Sequence, residues 1–454
     1  MLKKYLKFLK GDQNAADDKP LETLAAGHHD VTTALDAATQ REHGQAAVML
    51  QRFLGRQPVL DASSQIVGYE LKVRDQSLLP GMDGEEAQRL MQDEALVISV
   101  IDLDFQQALG NKLTFIGVTP SMLDNPVIDQ LPKPMVVVAI CLGGEVGEPV
   151  LARCRQLVAQ GIPLALDDFE YRPEYEPFLK ICSYVRMDTT RYDALALGQR
   201  VEAILGKGSP RLIARNVETE DAFEAYRRLS FDLFQGYYFA RLQPTAPHRL
   251  DNDRLRVIEL LNMVMNRAEL GELEEKVKLD PGLSYKLLNF INSAANGLQQ
   301  KIRSIGHALT LLGYDQLYRW LTLLLFTRGK TDSRNRTLLK SALVRARFTE
   351  TLGNKRFAPT DQGGLFIVGI FSLLDALLNV PMEQAIARLN LPQAVVDALL
   401  HRTGIYAPYL QLAMACENFD QDVIANCAAA CGLGADEVNV THVNALIWGE
   451  GVDV

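Results

Sequence analysis

The feature that most constrains this chain is a single change of pattern near residue 247. Before it, short β-rich runs alternate with helical ones; after it, apolar residues recur at helical spacing and almost no strand signal remains. A chain that switches period once must fold as at least two units, and 454 residues let both bury a full core. The boundaries read as an N-terminal helix and linker over 1–47, a barrel over 48–247 and a helical domain over 248–454.

The strand candidates are Gln57–Leu60, Ile66–Lys72, Leu113–Val118, Met135–Leu142, Pro163–Asp167, Tyr184–Met187, Arg211–Ala214 and Leu233–Gln235. Amphipathic segments such as Leu151–Gln160 and Asp221–Leu229 lie between several of them. Strands alternating with helices point to a parallel sheet, and eight of them to a closed (β/α)8-type barrel. About 195 residues is short for that fold, so a shortened barrel missing a helix or two is expected. The second half predicts an all-helical domain. Asp280-Pro281 reads as an N-cap with proline at the first helical position, and Pro381 and Pro392 each open a further helix.

Charge and cysteine usage narrow the function classes. Lys and Arg number 47 against 56 Asp and Glu, a formal charge of −9, which argues against a surface built to grip nucleic acid. No apolar run reaches the roughly 18 residues of a membrane span. Cys141, Cys154, Cys182, Cys416, Cys427 and Cys431 form no CxxC, so reduced thiols and a cytoplasmic setting are expected. Cys427 and Cys431 stand one helical turn apart but have no neighbouring His in sequence, so helix packing explains them better than metal. Residues 2–10 put Leu2, Tyr5, Leu6 and Leu9 on one helical face and lysines on the other. Such a helix could make peripheral contact with an anionic membrane or dock on protein. His28-His29-Asp30 reads as part of a solvated tail.

Three segments of the first half resemble the EAL family of cyclic di-GMP phosphodiesterases. They are Gln57-Pro58 followed by Gly68-Tyr69-Glu70-Leu71-Lys72-Val73-Arg74, then Leu164-Ala165-Leu166-Asp167-Asp168-Phe169, and the stretch from Ala214-Arg215-Asn216-Val217-Glu218-Thr219 to Gln235-Gly236-Tyr237. The second half resembles an HDOD domain, a metal-free relative of the HD hydrolases. The likeness runs through Leu288-Asn289-Phe290-Ile291-Asn292-Ser293, Ala308–Gly313 and Gly369-Ile370-Phe371-Ser372-Leu373-Leu374-Asp375. Barrel followed by helices in this order resembles the EAL–HDOD signalling proteins of bacteria.

The resemblance implies a two-metal phosphodiester hydrolase at the C-terminal strand ends, holding Mg²⁺ or Mn²⁺. Glu70, Asp167, Asp168, Glu218 and Gln235 match the family's positions. Elsewhere the match fails. Gly117 stands where the family has a ligating Asn, and Leu142 where it has a Glu, with Glu145 a substitute if the register slips. Arg186 replaces the active-site Lys, and Arg215 replaces the carboxylate of the general base. A guanidinium about 4 Å from a unit charge is worth roughly 4 kcal/mol at an effective dielectric of 20, and against a divalent ion it acts twice over. The expectation is a vestigial site with no metal and no cofactor. Arg74 and Arg215 could still pair with phosphates, which keeps a cyclic di-GMP receptor without turnover open beside the platform reading.

In the helical half no His-Asp pair occurs after residue 30; His307, His401 and His442 are isolated and Ser372 stands in the HD-matching helix. Tyr318 and Trp320 are candidates either for core packing or for anchoring a partner. Three function classes follow. The leading one is a non-catalytic signalling adaptor whose HDOD domain binds another signalling protein. The others are a cyclic di-GMP receptor and an active phosphodiesterase with a remodelled site.

Overall fold

Eight strands form where the β-rich runs lie and close into a barrel in chain order. The computed structural model describes residues 52–75, 85–102, 112–143, 147–241, 252–292, 301–327, 333–418, 420–450 and 452. The strands are β1 (Arg52–Asp61), β2 (Ile66–Asp75), β3 (Leu113–Val118), β4 (Val136–Cys141), β5 (Leu164–Asp167), β6 (Tyr184–Asp188), β7 (Arg211–Arg215) and β8 (Leu233–Gln235). The amphipathic helix of residues 2–10, His28-His29-Asp30 and Pro244–Pro247 lie outside the described residues, as does Glu145.

The sheet corrects the parallel expectation at one strand. β2 through β8 run parallel, but β1 is antiparallel to both neighbours, β2 and β8. The cause is local. Asp61 accepts backbone N–H bonds from Ser63 at 2.8 Å and Gln65 at 2.9 Å, and this tight turn leaves no chain for a crossover. The expected shortening also shows between β3 and β4, where two 3-10 turns, Pro120–Asp124 and Pro126–Gln130, stand in place of a helix. The remaining crossovers use α1 (Glu85–Asp102), α2 (Glu148–Ala159), the one-turn α3 (Glu176–Leu179), α4 (Ala194–Leu205) and α5 (Glu220–Arg228).

Strand alternation divides the barrel's residues into two cores. Val59, Phe115, Val137, Ala139, Ala165, Tyr184, Ile213 and Leu233 point inward and form their own buried cluster. Residues of opposite parity, such as Ile116, Ile140, Leu166 and Val185, join the outer core. Gly236 lets β8 end tightly against the turn after β7: a Cβ there would sit 2.0 Å from the Val217 carbonyl oxygen. Gly236→Ala is therefore expected to destabilise the chain by roughly 1–3 kcal/mol, the usual cost of overpacking, read as a lowered denaturant midpoint.

The second half is helical: α6 (Asn252–Met265), α7 (Leu270–Lys278), α8 (Pro281–Ile291), α9 (Ile305–Thr327), α10 (Ser333–Gly353), α11 (Pro359–Phe371), α12 (Leu374–Leu378), α13 (Met382–Ile386), α14 (Gln393–Val396), α15 (Ala407–Asn418), α16 (Gln421–Ala430) and α17 (Ala435–Glu450). Asp280 caps α8 by accepting from Leu283 N–H at 2.9 Å, as the Asp-Pro signal implies. Gly313, at φ +66, breaks α9 in the middle. Trp320 stacks on Phe290 with ring centres 5.9 Å apart, and Tyr318 is also buried, so both belong to the core. No helix among the described residues is long and apolar enough to cross a membrane.

The two halves meet through polar contacts as well as apolar ones. Tyr237 donates its hydroxyl to the Glu417 carbonyl at 2.6 Å, and Thr337 donates to the Ser64 carbonyl at 2.9 Å. At the end of α17, Glu450 is enclosed by the barrel's Arg56, Lys112 and Tyr69 together with Lys340 of α10. Arg56 also lies 3.8 Å over the Tyr69 ring. Burial opposes the charge on Glu450, but Arg56, Lys340 and Lys112 outweigh it and hold the carboxyl at about 2, against a usual 4.5.

Candidate functional site

The inward residues one layer above the apolar cluster form the mouth of the barrel. Parity from Phe115, Ala139, Ala165, Tyr184, Ile213 and Leu233 puts Gly117, Cys141, Asp167, Arg186, Arg215 and Gln235 there. Glu70 arrives from β2 and Gln57 from β1, beside each other in register.

These side chains form one connected network. Arg186, 1% exposed, lies 2.5 Å from Glu70 and 3.2 Å from Asp167, and donates to Gln235 Oε1 at 3.3 Å. Gln235 in turn donates to Glu70 and, at 2.8 Å, to Gln57. Arg215 bridges Asp167 at 3.0 Å and Asp168 at 2.8 Å through one nitrogen. At the rim Arg191 reaches Asp168 at 3.4 Å, and Lys72 stands 3.8 Å from Glu70. Burial alone pushes the Glu70 carboxyl up, yet Arg186, helped by Lys72 and Arg215, pulls it down to about 2. Asp168 and Asn216, at the ends of β5 and β7, hold left-handed backbones with φ +44 and +60. Non-glycine residues carry that strain chiefly where surrounding structure over-determines them.

The donor set does not fit two divalent ions. The oxygens of Glu70, Asp167 and Asp168 that would face metal face guanidinium groups instead, and among the described residues no three His, Cys, Asp or Glu converge as a ligand group. Position 117 does face the mouth: a Cβ there would meet only Asp167 Oδ2, at 4.0 Å, so glycine leaves a real gap in the ligand shell.

Two expected site residues fall elsewhere. Leu142 is packed in the outer core and its carbonyl accepts from the Tyr175 hydroxyl at 2.6 Å; Cys141, one residue earlier, is the side chain that β4 aims at the mouth. Its thiol is pushed up by burial and then by Asp167 and Asp168. Counting parity from Val137 would have found it. Glu218 turns away from the network, pairs with Arg241 at 3.2 Å and lines a cavity between the two halves. Arg74 lies in β2 opposite Phe53, and its side chain is outside the described residues. Gln57 was given no site role in the sequence reading; its strand was legible, but its approach from an antiparallel neighbour was not.

The chain is similar to several known proteins. The HDOD domain model matches residues 253–374. YuxH of Bacillus subtilis is 28% identical over 409 residues, covering 87% of this chain and 97% of that protein. The cyclic di-GMP phosphodiesterase CdgJ of Vibrio cholerae is 28% identical over 413 residues, covering 89% of this chain and 94% of that protein. Among solved structures, an EAL domain protein from Listeria monocytogenes is similar at 19% identity and a TM-score of 0.34, covering 48% of this chain and 94% of that one. The similarity to both relatives runs through barrel and helices alike, and the second half carries an HDOD domain.

Proposed function

We propose that this chain is a signalling adaptor whose barrel does not hydrolyse cyclic di-GMP and serves as a platform for the HDOD domain. The observation that carries the reading is the bridging of Asp167 and Asp168 by Arg215, with Arg186 set between Glu70 and Asp167. A divalent ion placed about 4 Å from either guanidinium would be disfavoured by roughly 8 kcal/mol at an effective dielectric of 20. Both carboxylates are held through Nη1 of Arg215, while its buried Nε has no hydrogen-bond partner among the described residues. A protein partner for the helical half is supported by the large apolar side chains exposed there among the described residues, including Leu279, Tyr285 and Leu311.

CdgJ carries phosphodiesterase in its name, so the decisive assay is hydrolysis. Full-length protein with cyclic di-GMP and Mg²⁺ or Mn²⁺ is expected to release no more linear dinucleotide than its Glu70→Ala variant. Turnover that depends on Glu70 would overturn the proposal. Calorimetry on the same samples reads ligand binding separately, and heat that disappears in Arg215→Ala would replace the platform with a receptor.

A further inference from the structure

A cavity of about 740 Å³ lies between barrel and helical half, lined by Glu218, Tyr237 and Arg241 on one side and Arg345, Asp375 and Arg402 on the other. Its size falls within the roughly 300–1,000 Å³ of small-molecule sites. Its cations differ in how well they are satisfied. Arg345 is fully engaged: it donates to Glu417 at 2.9 and 2.7 Å and to the Ser372 hydroxyl at 3.0 Å. Arg241, on the barrel side, pairs with Glu218. Arg402 is different, because its Nη1 is buried and has no hydrogen-bond partner among the described residues.

The fold places Arg402 there with care. α14 runs into a π-helical turn, Asp397–His401, and Arg402 ends it in a left-handed conformation at φ +55. Such turns are rare and recur at functional sites. Both features bring a guanidinium into a half-buried wall, where an unpartnered charged donor is costly. Asp375 favours the Arg402 charge from a distance but does not pair with it among the described residues, and burial pushes the Asp375 carboxyl up. Burial and the neighbouring Arg345 both act against the Arg402 charge.

We infer that this interdomain cavity binds a phosphorylated small molecule, with Arg402 as the anchor of its phosphate. Arginine matches phosphate with paired, charge-assisted hydrogen bonds, and Arg241 across the cavity supplies a second cation once it exchanges Glu218 for the ligand. A bound molecule would touch both halves and stiffen their junction. The site is separate from the barrel mouth and does not depend on whether the mouth is active.

Thermal unfolding of the full-length protein, titrated with inorganic pyrophosphate and with GMP, tests this. A saturable rise in Tm is expected with at least one probe. A response to pyrophosphate alone would mean that the phosphate is all the cavity reads; a larger response to GMP would mean that a nucleoside is accommodated too. Arg402→Gly should fold at least as well as the parent, because glycine suits the left-handed backbone and removes the unsatisfied charge. It should weaken probe binding by about 10- to 100-fold, the worth of a charged hydrogen bond. Arg402→Lys keeps the charge without the fork and should fall between the two. Arg227→Met, at an exposed arginine on α5, should respond as the parent does. Absence of a saturable shift with both probes at millimolar concentration would overturn the inference, as would a full response in Arg402→Gly.

Discussion

Arg186→Met should cost this protein about 3–5 kcal/mol of stability, the range for removing one partner of a buried ion pair. The guanidinium is the hub of the mouth, touching Glu70, Asp167 and Gln235 from a position 1% exposed. Methionine nearly matches its volume, so packing changes little and the loss reports the uncompensated Glu70 carboxylate. Acid separates this cause from a packing defect. In the parent, Glu70 is depressed from 4.5 to about 2, so its contribution is complete above 4.5 and is lost as pH falls toward 2. In the variant the nearest counter-charge is gone and only Lys72 and Arg215 still oppose burial, so the Glu70 carboxyl rises and protonation relieves it. The gap between variant and parent should therefore narrow as the solution is acidified. A gap that stays constant through that window, measured by urea melts, would mean that the carboxylate is not the cause.

Glu450→Gln is the second large effect, expected to cost about 3–5 kcal/mol for the same reason at a different place. One carboxylate, its side chain 4% exposed, answers Arg56, Lys112 and Lys340, and it joins the last helix to the first two strands through Tyr69. Glutamine keeps the shape and one hydrogen bond but leaves three cations facing each other. Because the contact spans the two halves, unfolding should also become less cooperative and split toward two transitions. Glu437→Gln removes an exposed partner of Arg356 and should cost under about 1 kcal/mol, which makes it the control. The Glu450 contribution, like that of Glu70, is complete above 4.5 and fades as pH falls toward about 2.

Much of the fold was legible because its cues are local. All eight strands lie where β-rich runs stand in the sequence, and the Asp280-Pro281 cap and the break at Gly313 are chemical punctuation. What escaped was non-local. The direction of β1 depends on a turn whose Asp61 bonds cannot be weighed against a crossover from composition alone. α17 shows little helical periodicity in sequence because Asn439, Thr441 and His442 are buried within it, His442 edge-on to Phe348 at 5.5 Å, so polar residues interrupt its apolar face. At the mouth, Glu70, Asp167, Asp168, Arg186, Arg215 and Gln235 lie together, while Cys141 and not Leu142 faces it and Glu218 lines the cavity between the halves. The pairing of each arginine with named carboxylates is a matter of three-dimensional approach, which the order of residues alone does not reveal.

The seam at Glu450 has a consequence for how the molecule is made. Tyr69 is synthesised 381 residues before the carboxylate that will engage it. While the ribosome is still producing the helices, the first hairpin carries Arg56 with its counter-ion yet to be translated. A nascent chain should therefore stay open along that flank until the final turns of α17 emerge, making this docking one of the last steps of maturation. It is also the step most exposed to interception by chaperones.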